Sequence, residues 1–398
     1  MEQTCRKRLS VIALLFFISG VGGCVSHQIS HKEGEIQSVP VLDTHFETSL
    51  IIPVTIKSKN YKFIVDTGAS LTVIDKKLAE KLTRPMRPDE IPPDYREALS
   101  GITAVNGVLE QQHYTLVKPV PFFIGSEEIR DNDVWIAADT TLFSQALGTE
   151  ISGVIGIDTI RKLNWQVDNN KKRLLLTKDA PSARDWKRCT GYDDSYNRSP
   201  LLWLTYGNDD VGFRVDTGAS GSYVGKEFIE FAKKQKGTLV LDNPVSRNGD
   251  IIGNYNTPLY ILRGLKFSNM PLGELKVSEN PNQLYAVGMD FLSRFTRYAF
   301  IPSRMMFCYD VSSIERYGLT SQRSLSIRYT GQHIEIFYNS DDNLKNTGLR
   351  NGDILLKING TAYPPTQIDK VREILELTPK GKLTLTIQRE TQRQEVHL

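Results

Sequence analysis

The sequence predicts a mainly β protein: two pseudo-symmetric closed-sheet lobes followed by a small α+β domain. Three observations point there. The hexapeptide Val-Asp-Thr-Gly-Ala-Ser occurs twice, at 65–70 and at 215–220. Each copy ends an apolar run (Phe63-Ile64-Val65; Phe213 and Val215), and each is followed far downstream by an apolar-apolar-Gly element, Val154-Ile155-Gly156 and Ala286-Val287-Gly288. The last 75 or so residues carry a separate succession of turn, strand, helix and strand signals. A strand, an Asp-Thr-Gly turn, a β-rich stretch and a Gly element, repeated in that order, is an internal duplication. At 398 residues the chain exceeds one hydrophobic core and suits two or three domains.

Taken in order, residues 1–23 read as a targeting segment: Arg6, Lys7 and Arg8 open it, Val11 to Ile18 form an apolar core too short to anchor in a bilayer, and Gly20-Val21-Gly22-Gly23 leads to Cys24. Small residues before a Cys resemble the bacterial lipobox, which implies acylation of Cys24; a plain secretory signal cut near Gly23 is the other reading. Val25 and Ser26, with no Asp, resemble the outer-membrane sorting pattern of Gram-negative lipoproteins. Residues 24–45 are polar and irregular, the expected tether. Lobe one spans 46–180, with strand signals at Ile51 to Ile56, Phe63 to Val65 and Leu174 to Leu176, and a short helix from Asp75 to Leu82. Residues 181–198 are the expected connector. Lobe two spans 199–312, with strand signals at Leu201 to Leu204 and Phe213 to Val215 and a helix from Lys226 to Lys234. A C-terminal domain occupies 318–398. Loss of residues 1–23 lowers the net charge from +3 to about +1. No basic cluster suggests a nucleic-acid partner.

Asp66 and Asp216 are the residues of chemical interest. A carboxylate on a turn leaving a strand is held by rigid backbone, and the following Gly lets another chain come close. Two such carboxylates from pseudo-symmetric halves can meet at the axis between them. They would then share one proton, leaving a base and an acid side by side. Such a pair can draw a proton from a water and give one to a peptide carbonyl, with no nucleophilic side chain, metal or cofactor. Thr67 and Thr217 are expected to hydrogen-bond across the axis. Ser70 and Ser220 are expected to donate to the outer carboxylate oxygens.

The chain resembles the aspartic proteases of the pepsin/retropepsin clan. Asp66-Thr67-Gly68-Ala69-Ser70 and Asp216-Thr217-Gly218-Ala219-Ser220 match the active-site signature, and the two downstream Gly elements match the segment that packs beneath the catalytic loop. The likeness covers about residues 46–312. It implies two acid-protease β-barrel lobes, Asp66 and Asp216 as the catalytic pair, and an extended polypeptide substrate. Alanine after Gly is closest to retroviral-type and bacterial members, but here one chain carries both halves, so a monomeric catalytic unit is expected. Family members close a hairpin over the substrate. Asn106-Gly107 is the first-half candidate; Asn248-Gly249 and Ile252-Gly253-Asn254 are second-half candidates. Neither tip carries a tyrosine; Tyr114 and Tyr255 lie nearby. Which hairpin closes is left open.

Cys5 leaves with the signal, so Cys189 and Cys308 remain; a disulfide and two buried thiols are both compatible with an exported protein. Their spacing, with no His cluster, gives no expectation of a zinc site. At the C-terminus, Asn346 to Gly360 resembles the core of a PDZ domain, with Ile354, Leu356 and Ile358 alternating as a strand, a helix from Ile368 to Leu377 and a final strand at Leu383 to Ile387. The carboxylate loop of that family has no clear counterpart; the matching region is near Ser324 to Ile327. Peptide capture and a purely structural role both stand. The resulting expectation is an aspartic endopeptidase anchored through Cys24 to a membrane of the bacterial envelope, at the outer membrane facing the periplasm if the cell is Gram-negative. The alternative is a catalytically silent peptide-binding lipoprotein that uses the same cleft and the PDZ-like domain.

Overall fold

The computed structural model describes residues 39–130, 132–193, 199–235, 238–338 and 344–398. The targeting segment and Cys24 lie outside them.

The duplication is visible strand by strand. In lobe one, Ile51–Ile56 pairs antiparallel with Lys59–Val65, which runs into the first Asp-Thr-Gly turn. In lobe two, Leu201–Tyr206 pairs with Asp209–Val215 in the same way. Alternate residues point inward, as half-buried strands require: Ile52, Val54 and Ile56 in one lobe, Leu202, Leu204 and Tyr206 in the other. The downstream element then slots in parallel beside the Asp-bearing strand. Gly153–Ile155 lies on Phe63 to Val65, and Ala286–Val287 on Arg214 and Val215. The strand after each turn, Val73–Asp75 or Ser222–Gly225, flanks that element on its other side. The two lobe sheets contain eight and nine strands. The expected short helices form at Lys76–Leu82, where the Asp75 side chain caps the first turn, and at Lys226–Lys233.

A third sheet joins the lobes. Its six strands are, in order, Pro40–His45, Arg173–Thr177, Asn164–Asp168, Arg297–Ile301, Met306–Asp310 and Arg188–Gly191. Trp165 lies opposite Phe300 where the lobes meet. Strand pairing thus extends into the expected tether and into the expected connector. Pro40–His45, at the end of the expected tether, pairs with Arg173–Thr177, and Arg188–Gly191, inside the expected connector, pairs with Met306–Asp310. The latter pairing puts Cys189 opposite Cys308, and they form a disulfide. Phe307, on strand Met306–Asp310, packs edge to face with Phe267 and Phe295, and Phe291 does the same with both of those rings, in the main core.

The C-terminal domain is a five-stranded sheet with helix Ile368–Leu377 packed on it around its own core of Ile336, Val371, Leu385 and Ile387. It touches both lobes. Asp369 accepts hydrogen bonds from the Thr48 and Ser49 hydroxyls at 2.8 and 3.2 Å. Lys276 of lobe two reaches Glu376 at 2.5 Å and the buried Asp242 at 3.3 Å. Helix Thr141–Leu147 of lobe one lies against edge strand Ile327–Tyr329 and helix Ile368–Leu377.

Candidate active site

Each Asp-Thr-Gly loop is pinned from below by its Gly element. The Asp66 N–H donates to the Ile155 carbonyl and the Asp216 N–H to the Val287 carbonyl, both at 3.0 Å. On the way back, Ile157 N–H donates to the Ala69 carbonyl (2.8 Å) and Met289 N–H to the Ala219 carbonyl (2.9 Å). Gly156 and Gly288 permit this approach: a Cβ on either would fall within 2.7 Å of loop backbone.

The two loops then grip each other. Thr67 N–H donates to the Thr217 hydroxyl and Thr217 N–H to the Thr67 hydroxyl, each at 3.0 Å. The hydroxyls donate onward across the axis, Thr67 to the Val215 carbonyl at 2.6 Å and Thr217 to the Val65 carbonyl at 2.7 Å. All four bonds are buried, so two threonines satisfy four main-chain groups that would otherwise be orphaned at the junction.

This grip sets the carboxyls face to face. A Cβ at Gly68 would sit 2.8 Å from the Asp216 carboxyl atoms, and one at Gly218 would sit 2.4 Å from the Asp66 Cγ. Each carboxyl therefore lies over the glycine of the opposite loop, a place where no larger residue fits. Inner-loop amides hold them: Asp66 Oδ1 accepts from Gly68 N–H (2.7 Å) and Ala69 N–H (3.2 Å), and Asp216 Oδ1 from Gly218 and Ala219 N–H (both 3.0 Å). Burial, with the neighbouring Asp216 charge second, pushes the Asp66 carboxyl well above the usual range; the Gly68 and Ala69 amides only partly offset this.

The serines do something other than expected. Among the described residues, neither the Ser70 nor the Ser220 hydroxyl bonds a carboxylate, and both side chains are exposed. Their carbonyls instead accept from Asp158 N–H (3.3 Å) and Asp290 N–H (3.1 Å) beneath the loop. The outer donor is a residue the sequence reading missed. The Tyr223 hydroxyl donates to Asp216 Oδ2 at 2.8 Å, and the ring is buried. Burial and the Asp216 charge push that phenol well above its ordinary value, so it stays protonated and able to donate. Lobe one has Val73 at the equivalent position, so the pair is asymmetric. Aligning the two copies past Ser70 and Ser220 exposes the signal: Leu71-Thr72-Val73 against Gly221-Ser222-Tyr223, a divergence that introduces one ionisable group.

A second pair of carboxyls braces the loops from behind. Thr72 donates to Asp158 Oδ1 and Ser222 to Asp290 Oδ1, each at 2.8 Å. Burial raises both acids, Asp158 to about 6.

Each lobe contributes a hairpin. Ile102–Ala104 and Gly107–Leu109 form the one expected at Asn106-Gly107, with Val105 and Asn106 at its tip. In lobe two, Asn248-Gly249 and Gly253-Asn254 are opposite ends of a single turn joining Leu239–Gly249 to Asn254–Arg263. The hairpins meet. Asn106 N–H donates to Asp250 Oδ2 at 2.7 Å, and Asn282, in the turn after lobe-two strand Glu274–Asn280, donates its Nδ2 to the Ala104 carbonyl at 2.8 Å. Ile251 and Ile252, at the lobe-two tip, pack on the lobe-one cluster that contains Leu109 and Tyr114. Burial, then the Asp250 and Asp216 charges, raise the Tyr255 phenol above its ordinary value.

Comparison with known families agrees with this geometry. Residues 52–159 match the family model described as aspartyl protease. The chain carries an aspartyl protease domain. The match covers the lobe-one half of the site, and lobe two repeats its geometry from Leu201 onward. Residues 345–389 match the model of a PDZ domain. No curated protein matches the chain.

Proposed function

We propose that this protease domain is an aspartic endopeptidase whose catalytic pair is Asp66 and Asp216. The observation that carries the proposal is the pair of carboxyls set over opposing glycines by the Thr67–Thr217 grip. A water bound between the carboxyls attacks the carbonyl carbon of an extended peptide lying under the two hairpins. The asymmetry assigns the roles. Tyr223 donates to Asp216 and favours its ionised form, so Asp216 takes the proton from the water. Asp66, whose burial favours the protonated form, gives its proton to the carbonyl oxygen. The tetrahedral diol then collapses: the leaving nitrogen takes the proton from Asp216, the C–N bond breaks, one diol hydroxyl returns its proton to Asp66, and the new carboxyl departs with the N-terminal fragment. Because one chain supplies both halves, the catalytic unit is a monomer.

The same reading puts the enzyme in a bacterial envelope, tethered by lipid on Cys24. The Cys189–Cys308 disulfide supports an oxidising compartment.

The test is hydrolysis of an internally quenched peptide library by the protein beginning at residue 25, across acid to neutral pH. Asp66→Asn and Asp216→Asn should each abolish cleavage while leaving the melting temperature near the parent's. Unchanged cleavage in either variant removes that residue from the mechanism. Peptide binding without turnover in the parent favours the silent-binder reading. Incorporation of labelled palmitate in cells, lost in Cys24→Ala, tests the anchor.

A further inference from the structure

The charge of the chain is unevenly placed. Residues 161–188 contain nine Lys and Arg against three Asp, in a chain whose net charge is +3. This segment supplies strands Asn164–Asp168 and Arg173–Thr177 of the sheet that joins the lobes, and leads into its terminal strand, Arg188–Gly191. Pairing sets a charged row across one end of that sheet. His45 lies opposite Arg173, Arg173 opposite Asp168, Asp168 opposite Arg297, and Arg297 opposite Asp310. Lys187 N–H then donates to Asp310 Oδ1 at 2.7 Å. Residues directly opposite one another share a face of the sheet.

Inside the row the charges are matched: Arg173 pairs with Asp43 at 2.5 Å and Arg297 with Asp310 at 2.6 Å. The surplus surrounds it. Lys171 and Lys172 occupy the turn between Asn164–Asp168 and Arg173–Thr177, and Arg184, Lys187 and Arg188 lie in and next to the segment that crosses to the terminal strand. All five are exposed. Among the described residues, Arg184, Lys187 and Arg188 have no acidic partner, and Lys171 reaches Asp168 only at 3.8 Å. A cavity of about 170 Å³ adjoins the row, where Lys171, Arg173 and Arg297 stand against one acid, Asp168, beside Gln166 and Trp186. At the other end of the sheet, where Pro40 pairs with Thr177 and Ile301 with Met306, Val39 and Met305 expose apolar side chains.

A surplus of unmatched cations on a sheet with exposed apolar side chains at its margin suits a surface of anionic lipid. Connectivity favours the same occupant. The first strand of this sheet begins at Pro40, and fifteen residues separate it from Cys24. That length spans at most about 50 Å. Acyl chains on Cys24 would hold the basic face within that distance of a bilayer, where a weak surface contact gains from its high local concentration.

We propose that the sheet joining the lobes rests on the bilayer, with Lys171, Lys172, Arg184, Lys187 and Arg188 against the phosphates of anionic phospholipids. The cavity beside Lys171 receives one headgroup, and Val39 and Met305 enter the headgroup layer. Neither hairpin has a strand in this sheet, so docking recruits neither of them.

The inference takes from the proposed function only the presence of a bilayer. Its test uses the protein beginning at residue 25, with no acyl chain and no peptide, so neither the anchor nor the catalytic pair affects the result. Binding is measured by co-sedimentation with vesicles of phosphatidylcholine, and with vesicles that hold phosphatidylcholine and phosphatidylglycerol in equal share. The anionic vesicles should bind tenfold or more tighter, the ratio expected when several Lys and Arg meet a negative surface. Lys171→Gln/Lys187→Gln/Arg188→Gln should lose at least that factor at an unchanged melting temperature. Lys380→Gln/Lys382→Gln/Arg393→Gln removes the same charge from exposed positions of the PDZ domain, and should lose less than about threefold. Equal binding to both kinds of vesicle, or equal losses in the two triple variants, overturns the proposal. So does displacement from the vesicles by millimolar glycerol phosphate, which would make the cavity a site for a soluble anion.

Discussion

Removing the Tyr223 hydroxyl tests the division of labour proposed for Asp66 and Asp216. The hydroxyl donates to Asp216 Oδ2 at 2.8 Å in a buried setting, and nothing in lobe one matches it. A hydrogen bond to an ionised group contributes about 1.5–3 kcal/mol, and one pH unit corresponds to about 1.4 kcal/mol. Tyr223→Phe should therefore move the lower apparent pKa of the pair upward by about 1–2 units. The direction follows from what the bond stabilises. The hydroxyl favours the state with one carboxyl ionised, so without it the pair keeps its second proton to higher pH and the acidic limb of activity shifts up. Phenylalanine fills nearly the same volume, so packing is preserved. The assay is kcat/KM against pH on a quenched peptide. An acidic limb at the parental pH, whether or not the plateau falls, would refute the reasoning and leave Tyr223 a packing residue.

Gly68→Ala should abolish activity in a folded protein, because the added methyl would sit 2.8 Å from the Asp216 carboxyl; activity within tenfold of the parent would contradict the face-to-face geometry. Thr217→Val orphans the Thr67 N–H and the Val65 carbonyl, at about 1–3 kcal/mol each, and should lower the thermal unfolding midpoint by several degrees. Opening the Cys189–Cys308 bond, which spans 119 residues, should cost up to about 5 kcal/mol by chain entropy, read as a lower denaturant midpoint for Cys189→Ala/Cys308→Ala. Asp158 is raised from 3.8 to about 6 on folding, so the folded state binds its proton more tightly; its contribution to stability is intact below pH ~4 and lost as pH rises through about 6. The loss is up to about 3 kcal/mol, and Asp158→Asn should flatten the decline in unfolding free energy between pH 4 and 7.

The two Asp-Thr-Gly loops were legible in the sequence because duplication preserves strand, turn and supporting element together, so each copy vouches for the other. The Thr67–Thr217 grip could be anticipated for the same reason. The outer donors could not be taken from the repeat alone. A serine two residues past the Gly is close in sequence, yet the loop turns its hydroxyl outward and its carbonyl inward, and the donor comes from Tyr223 on the next strand. The Asn106-Gly107 hairpin announces itself by turn chemistry. Its latch to Asp250 does not, because that bond joins residues 144 apart on different lobes. Pro40–His45 looked irregular because an outer strand is ordered by its partner, here Arg173–Thr177, more than by its own pattern. Docking of the PDZ domain through Asp369 and Glu376 left no sequence signal either, since single polar residues on a helix face read as solvated.

The central claim is that Asp66 and Asp216 hold one proton between them. Carboxyl ¹³C NMR of the Asp-labelled protein, assigned with Asp66→Asn and Asp216→Asn, measures this directly. The account predicts that both carboxyl signals respond together in two steps separated by more than one pH unit, and that each single variant leaves one step. Two signals that titrate independently, in one step each and at the pH of a solvent-exposed aspartate, would contradict it.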